Sequence, residues 1–273
     1  MREIIFSADD FGLTLGVNEA VEQGFRAGRL TQASLMVAAP YAADAVARVK
    51  RLPGLNVGLH LVLVDGDSCA GHAKLPHITA PDGRFATAQA ALGVKYFFSP
   101  QARRELRLEI EAQFAAFAAT GLPLHHADAH KHFHLHPTIA RMMIAVGRQY
   151  GLQRIRIPAE PPHVMKQLGE RVSFADYALY AWTRLLRWQA RGLEMPEQIF
   201  GIKWSGHMTR ERIERLLTVL PPGRTEIYLH PATARDAELV RLMPDYDHAG
   251  EYEALLAPYR QPRDTAPNAT PNP

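Results

Sequence analysis

Short apolar runs alternate with longer segments of helical periodicity along most of the chain. Ile4-Ile5-Phe6 predicts a buried strand, and the segment 17–27 has apolar residues at helical spacing, with Gly28 as a C-terminal cap. Strands that alternate with helices in this way predict an α/β fold with a parallel sheet. Further strands are predicted at 30–39, 55–61, 125–137, 154–157 and 226–231. Further helices are predicted at 42–52, 99–121, 137–151, 173–191 and 209–220, with Ser99 and Thr209 as N-caps.

Polar residues end several of the predicted strands. Asp9 and Asp10 follow the first strand, His60 closes the strand at 55–61, and His230 lies near the end of the last. In a (β/α) barrel, residues from the carboxyl ends of separate strands assemble one site. A closed or partly closed, TIM-like (β/α) barrel is therefore favoured over a doubly wound sheet, which would have a glycine-rich turn where this chain has two acids.

The segment 125–137, HHADAHKHFHLHP, contains six of the 13 histidines around a single carboxylate, Asp128. Alternate side chains of an extended chain point to the same side, so Asp128, His130, His132 and His134 are predicted to line one wall. Imidazole and carboxylate are ligands of zinc and other first-row cations. A histidine-rich surface loop is the alternative, but the flanking segments are not of low complexity.

Brought to one barrel mouth, Asp10, His60 and His130 form a set of one carboxylate and two imidazoles. This set leaves coordination positions for water and substrate, as a catalytic metal site does. Asp9 is then the natural acceptor of a proton from water, and His230 could protonate a leaving group. Each residue alone has a structural interpretation, as a core histidine or a helix-capping acid. Their joint occurrence favours a site for one divalent cation, zinc or magnesium.

Composition narrows the classes of protein that the chain could represent. Its 273 residues, 47% hydrophobic and 22% charged, suffice for a large α/β domain, predicted at 1–260 and followed by a disordered tail at 261–273. The net charge of +3 without a basic run argues against nucleic-acid binding. The single cysteine excludes an internal disulfide framework and fits a reducing compartment. Without a leader or a membrane-spanning apolar run, the protein is expected to be cytoplasmic.

The predicted helix at 173–191 has a broad aromatic side. Aromatic residues at helical spacing usually face a protein core, and this is the favoured interpretation. The alternative is a helix that lies against a lipid, which would place the protein peripherally at the inner membrane.

Five motifs resemble those of the YdjC-like carbohydrate deacetylases. They are ADDFG at 8–12, GVN at 16–18, GLHL at 58–61, DAHKHFH at 128–134 and LHP at 229–231, spread over about 220 residues in the family's order. The phrases LVLVDG at 61–66, AHKHFHLHP at 129–137 and WSGHMT at 204–209 resemble the members associated with hopanoid biosynthesis.

The resemblance implies an irregular (β/α) barrel and metal-dependent removal of an acetyl group from an N-acetylated amino sugar. It places the metal on Asp10, His60 and His130, the general base on Asp9 and the acid on His230. The branch resemblance implies an N-acetylglucosaminyl hopanoid, so that the partner is an amino sugar or a glycolipid. Ala129 and Lys131 depart from the commoner DSHHHVH spelling, and Lys131 adds a positive charge near the predicted site.

Further residues are predicted to have substrate-binding or secondary roles, and two other functions remain open. A glycosidic-bond hydrolase needs two carboxylates about 5–9.5 Å apart, for which Asp9 could pair with Asp128 or Glu160. A non-catalytic protein that binds a metal or a sugar is the other, and a homo-oligomer is compatible with all three. The residues with predicted secondary roles are Asp128, His132, His134, Arg156 and His207.

Overall fold

A parallel sheet lies at the centre of the protein in a computed structural model that describes residues 2–259. Its six strands have the order β4-β3-β2-β1-β6-β5. The disordered tail predicted at 261–273 lies outside the described residues. The strands are β1 (Arg2–Phe11), β2 (Gln32–Leu35), β3 (Asn56–Leu61), β4 (Ala127–Ala129), β5 (Gln198–Phe200) and β6 (Gly223–Leu229).

Ten α-helices connect and cover these strands within the described residues, and several begin where the sequence predicts a cap. The side chain of Ser99 accepts a hydrogen bond at the start of α4 and that of Thr209 does so at the start of α8. The helices are α1 (Leu15–Arg26), α2 (Ala42–Val49), α3 (Gln89–Phe98), α4 (Pro100–Ala119), α5 (Pro137–Gln149), α6 (Pro162–Gln167), α7 (Phe174–Gln189), α8 (Arg210–Val219), α9 (Ala237–Leu242) and α10 (His248–Leu256).

The α/β class and the parallel sheet are confirmed, but the described residues form a curled half-barrel of six strands and not a complete TIM-like barrel. The strand predicted at 154–157 is reduced to isolated bridges. Arg154 and Ile155 exchange single backbone hydrogen bonds with Ala127 on one side and Glu194 on the other. Regular strand pairing therefore stops at β4 and at β5, the two edges of the sheet.

The extended wall predicted at 125–137 is wrong beyond Ala129. β4 has only three residues, and a 3-10 helix (His130–Leu135) follows it directly. Inside this turn Lys131 and His132 have φ values of 53° and 51°. This left-handed conformation is uncommon in non-glycine residues and persists only where the surrounding contacts stabilise it. The alternation of side chains therefore ends at this turn, and the histidines reach different partners.

The segment between His60 and α3 is held by buried polar side chains of α4. Gln113 hydrogen-bonds to both backbone groups of Val62, and Glu109 accepts from the amides of Cys69 and Ala70. This segment is therefore anchored to α4 directly after β3, the strand that contains His60.

Helix α7 packs against α5 and α6, as the favoured prediction has it, but most of its aromatic side is exposed, so the expectation that this side faces the core is wrong. Among its residues only Thr183 and Leu186 are buried. Its exposed apolar residues are Phe174, Tyr177, Leu179, Tyr180, Trp182 and Trp188. No helix within residues 2–259 has the length and apolar character needed to cross a bilayer.

Candidate metal and active site

The carboxyl ends of β1, β3, β4 and β6 bring the predicted metal-binding and catalytic residues together. Asp9 and Asp10 belong to β1, His60 to β3, and His130 and His230 directly follow β4 and β6. All five residues are buried. The position of the site at the carboxyl ends of the strands is thus as predicted.

Asp10, His60 and His130 lie close enough to share a cation. Their ligand atoms all lie within 4.8 Å of one another, with Asp10 Oδ1 3.0 Å from His130 Nδ1 and 3.4 Å from His60 Nε2. Asp10 Oδ2 and His130 Nε2 are buried without a hydrogen-bond partner. Such unpaired atoms are costly in a protein interior, and a cation bound to Asp10 would satisfy its free carboxylate oxygen. These residues therefore fit a divalent cation.

A bulge in β1 turns two consecutive acids toward this site. The register with β2 advances by one extra residue between Ala8 and Phe11, and Asp10 has a φ of 60°. Neighbouring side chains of a regular strand point to opposite faces, whereas a bulge redirects one of them. Because of the bulge, both Asp9 and Asp10 come within ligand distance of His60.

Asp128 orients His60 and does not line the cavity above the site. Its Oδ1 lies 2.8 Å from His60 Nδ1, which leaves His60 Nε2 on the side of Asp10. A carboxylate behind a metal-binding imidazole fixes the ring and its tautomer. Burial alone would lower the pKa of His60, but Asp128 and Asp10 outweigh it and raise this pKa to about 10. A cation would have to displace the proton from this imidazole.

Arg156 lies beneath the site and binds three carboxylates. Its Nη1 is 2.7 Å from Asp9 Oδ2 and 2.5 Å from Asp128 Oδ2, and its Nη2 is 2.8 Å from Asp9 Oδ1 and 2.7 Å from Glu226 Oε1. Burial opposes the charge of Arg156, but these acids raise its pKa well above the usual value. A substrate contact was predicted for Arg156. Because only 1% of its surface is exposed, Arg156 is not placed to contact a substrate directly.

His230, which directly follows β6, lines the same cavity as His60 and His130. Glu251 accepts a hydrogen bond from the backbone amide of His230, and its Oε2 lies 3.7 Å from His230 Nδ1. Burial lowers the pKa of His230, but the nearby Glu251 carboxylate outweighs it and raises the pKa. His230 therefore retains a proton more readily than a free imidazole.

A cavity of about 250 Å³ opens above these residues. Its base is formed by Asp9, His60 and His130, and its walls include Tyr228 and Tyr246. A cavity of about 340 Å³ lies at the amino ends of the strands, beside Glu3, Asn56 and Arg224. The smaller cavity is the candidate site, because His130, His132 and His230 line it, and each of them has a buried ring nitrogen without a hydrogen-bond partner.

The other predicted residues are placed unequally. His132 lines the cavity, and its Nε2 lies 3.0 Å from the hydroxyl of Tyr228. His134 is fully buried and donates to the carbonyl oxygen of Arg156. His207 is exposed and does not line the cavity. The structure therefore brings only His132 of these three to the candidate site.

Two residues at the candidate site, Glu226 and Tyr246, were not predicted from the sequence, although the spacing of residues in β6 gives a signal for Glu226. Glu226, which binds Arg156, precedes Tyr228 and His230 at a spacing of two, so the three share one face of the strand. Tyr246 lies between α9 and α10, where no periodic pattern marks it.

The fold and the site define an α/β protein with a buried carboxylate and imidazole site at the carboxyl ends of a parallel sheet. The chain belongs to the YdjC-like family, whose sequence profile, described as YdjC-like protein, matches residues 3–261. The membership predicted from the motifs is confirmed at the level of the family.

Curated relatives from several bacteria carry the name carbohydrate deacetylase. The protein from Geobacillus stearothermophilus is 32% identical over 233 residues, which cover 85% of this chain and 80% of that protein. The proteins from Brevibacillus brevis and Vibrio cholerae are 35% and 36% identical, over 59% and 64% of this chain. These two matches span only 59% and 66% of the relatives' own lengths.

A solved structure has the same fold. The chain superposes with a TM-score of 0.73 on a putative cellobiose-phosphate cleavage protein from Enterococcus faecalis, covering 94% of this chain and 91% of that one. The sequence identity is 22%, so this likeness concerns the fold alone.

Proposed function

We propose that this protein is a metal-dependent carbohydrate deacetylase that removes the acetyl group from an N-acetylated amino sugar. The observation that carries the proposal is the set Asp10, His60 and His130, with two unpaired buried ligand atoms, next to Asp9 at the base of a cavity. The relatives named carbohydrate deacetylase support the reaction class.

The metal-binding role falls to Asp10, His60 and His130. A divalent cation bound there supplies a Lewis acid that polarises the amide carbonyl and makes water more acidic. Two imidazoles and one carboxylate favour zinc, since magnesium prefers more oxygen ligands. Asp128 holds the His60 ring in the orientation that this role needs.

Asp9 acts as the general base in this proposal. It accepts a proton from the water whose oxygen attacks the acetamide carbonyl carbon. Arg156 fixes both Asp9 oxygens by two hydrogen bonds, and each oxygen keeps a second lone pair for the proton. The base is therefore oriented before the substrate arrives.

His230, which lines the same cavity, acts as the general acid. As the carbon–nitrogen bond breaks, a proton from His230 goes to the nitrogen, and the products are acetate and a free amino sugar. Glu251 supports this role because it raises the pKa of His230.

The contacts of the other carboxylates do not favour a glycosidic-bond hydrolase. Asp128 is fully buried and is engaged by Ser34, His60 and Arg156. Glu160 accepts hydrogen bonds from the three backbone amides of residues 201–203. Neither carboxylate lines the cavity, so neither is placed to pair with Asp9 across a glycosidic bond. A non-catalytic protein that binds a metal or a sugar could use the same cavity, and the measurement of acetate release separates it from a deacetylase.

The substrate proposed within this class is an N-acetylglucosaminyl hopanoid. Its support is the resemblance of the segments 61–66, 129–137 and 204–209 to hopanoid-associated members of the family. Such a glycolipid would bring a cytoplasmic enzyme to the inner face of the membrane.

Acetate release from a panel of N-acetylated amino sugars, together with elemental analysis of the purified protein, tests the proposal. Asp10→Asn should reduce the bound metal and the activity together, whereas Asp9→Asn should retain metal and lose about 10²–10⁴-fold in rate. The exposed Asp82→Asn serves as a matched control and should change neither. Full activity of Asp9→Asn would remove Asp9 as the base, and release of free sugar without acetate would favour a glycosidase.

A further inference from the structure

Helices α3 and α7 expose large apolar side chains that no described part of the chain covers. In α3, Phe97 and Phe98 are exposed, with Phe98 72% accessible. In α7, Phe174 is 86% accessible, and Tyr177 and Trp182 are also exposed. We call these five residues the apolar rim. A cluster of this kind on a protein surface marks an interaction site more often than a single exposed residue does.

The two halves of the apolar rim meet at the 3-10 helix that borders the cavity. The ring of Phe97 lies 6.0 Å from that of His136, and Trp182 Nε1 donates to the carbonyl oxygen of Leu135 at 2.8 Å. Leu135 and His136 are neighbours at the end of this turn, whose beginning supplies Lys131 to the cavity wall. The apolar rim thus lies next to the mouth of the candidate site.

Helix α5 packs against both α3 and α7, and the three helices together are strongly basic. They carry a single acid, Asp176, which is paired with Lys203 at 3.1 Å. Between Asp128 and Glu160 the chain has no acid at all. The exposed basic residues of the three helices are Lys95, Arg141, Arg148 and Arg184.

Surfaces that bind anionic lipid bilayers typically combine aromatic residues with Lys and Arg. Trp, Tyr and Phe enter the boundary between headgroups and acyl chains, and basic residues are attracted by the negative surface potential. A second copy of the same chain is a poorer partner, because it would bring two positive faces together.

We infer that α3, α5 and α7 form a docking surface for an anionic lipid bilayer, with the apolar rim in the interface and the cavity mouth beside the headgroups. The docking itself does not depend on the chemistry of the site. Its use, which is to bring the sugar of a membrane-borne glycolipid to Asp9 and Asp10, rests on the proposed function.

Vesicle co-sedimentation of the full chain tests this inference without any substrate. The wild-type protein should bind vesicles of equal parts phosphatidylcholine and phosphatidylglycerol, and it should bind phosphatidylcholine alone much more weakly. The double variant Phe98→Ser and Phe174→Ser should lose about tenfold or more in binding. The double variant Lys95→Gln and Arg184→Gln should bind anionic vesicles more weakly than wild type. Added salt should weaken binding by the wild-type protein in the same way, because it screens the same charges.

Matched controls lie on other faces of the molecule. Val240→Ser, at an exposed apolar position of α9, and Lys50→Gln with Arg51→Gln, after α2, should leave binding unchanged. Absence of binding to anionic vesicles, or equal binding by the Phe98 and Phe174 variant, would overturn the inference. So would a wild-type dimer in light scattering that this variant converts to a monomer, since a second copy would then cover the surface.

The outcome is separable from that of the proposed function. Acetate release from a water-soluble N-acetylated sugar does not need docking, so the Phe98 and Phe174 variant should hydrolyse it at the wild-type rate. A protein that binds vesicles but releases no acetate would retain the docking surface and lose the proposed chemistry.

Discussion

Two regions that border the cavity reverse the usual distribution of polar and apolar side chains. Beneath the cavity, one arginine and three acids are buried: Arg156, Asp9, Asp128 and Glu226. Beside it, the apolar rim on α3 and α7 is exposed to solvent. Charges are rarely buried unless paired, and exposed aromatic clusters are uncommon in soluble proteins. Both arrangements are unfavourable for the stability of the fold, and both occur next to the cavity where we propose that the protein acts.

The two regions differ in how far the structure satisfies them. Each acid beneath the cavity contacts the Arg156 guanidinium, and Ser7 and Gln32 donate additional hydrogen bonds to Glu226. The aromatic side chains of α7 instead have few contacts with the rest of the described chain. The buried region therefore needs no external partner, whereas the exposed region gains stability only when a partner covers it.

The largest effect should follow from removal of the buried arginine. Arg156→Leu leaves three buried acids without their cation and should lower the free energy of unfolding by about 3–5 kcal/mol, as measured by urea denaturation. Arg154→Leu is the matched control, since its pair with Glu194 is largely exposed and should contribute less than about 1 kcal/mol. Equal losses in the two variants would show that the buried cluster is not special.

Asp128→Asn weakens the support of His60 without changing the size of the side chain. It should reduce metal affinity about 10–100-fold, because the imidazole loses the charged partner that orients it. Titration with zinc in a competing chelator measures this affinity, and His207→Ala, at an exposed residue that does not line the cavity, is the control. Unchanged affinity in Asp128→Asn would separate this acid from the metal site.

Glu160 offers a second test of the contrast, because it is a partly buried acid that Arg156 does not contact. Burial raises its pKa from 4.5 to about 7, despite three backbone hydrogen bonds, whereas Arg156 keeps the pKa of Asp128 low although Asp128 is more deeply buried. The folded protein then binds a proton more tightly than the unfolded chain, so stability should fall as pH rises from about 4.5 to about 7.

The full shift corresponds to about 3 kcal/mol, and partial exposure of Glu160 to solvent reduces the expected loss to about 1–2 kcal/mol, a part of the pH dependence that Glu160→Gln should remove. Denaturation of wild type and variant at several pH values measures it. An identical pH profile in the two proteins would show that the three backbone amides hold Glu160 ionised throughout.

The smallest effect on stability is expected in the exposed region. Phe98→Ser and Phe174→Ser should each change the free energy of unfolding by no more than about 0.5 kcal/mol, because neither side chain is buried. Thermal unfolding in the absence of lipid measures this change. A loss of several kcal/mol would mean that these residues belong to the core, and the contrast between the two regions would disappear.

Part of the site could be predicted from the sequence because its residues end short, strongly apolar segments. Asp9, Asp10, His60 and His230 all lie at the ends of such segments, and parallel strands carry their carboxyl ends to one edge. Their assignment to metal binding, base and acid stays a prediction. The role of Glu226 could have been suspected from its spacing with Tyr228 and His230, but its partner Arg156 is 70 residues away.

By itself, the sequence determined the features that depend on near neighbours. These are the parallel α/β alternation, the caps at Ser99 and Thr209, and the identity of the acids and histidines at the strand ends. Their physical basis is local, since apolar periodicity and capping involve residues within a few positions of one another.

Only the tertiary structure decided the pairings and exposures. The bulge that turns Asp10 beside Asp9, the 3-10 helix that ends the histidine strand, and the contact of Arg156 with Asp9 across 147 residues depend on how distant segments pack. One extra residue in a strand reverses the faces of its side chains, and whether an aromatic helix meets a core depends on what lies opposite it. For α7, the described chain places no core opposite most of the aromatic side, and no local pattern could reveal that.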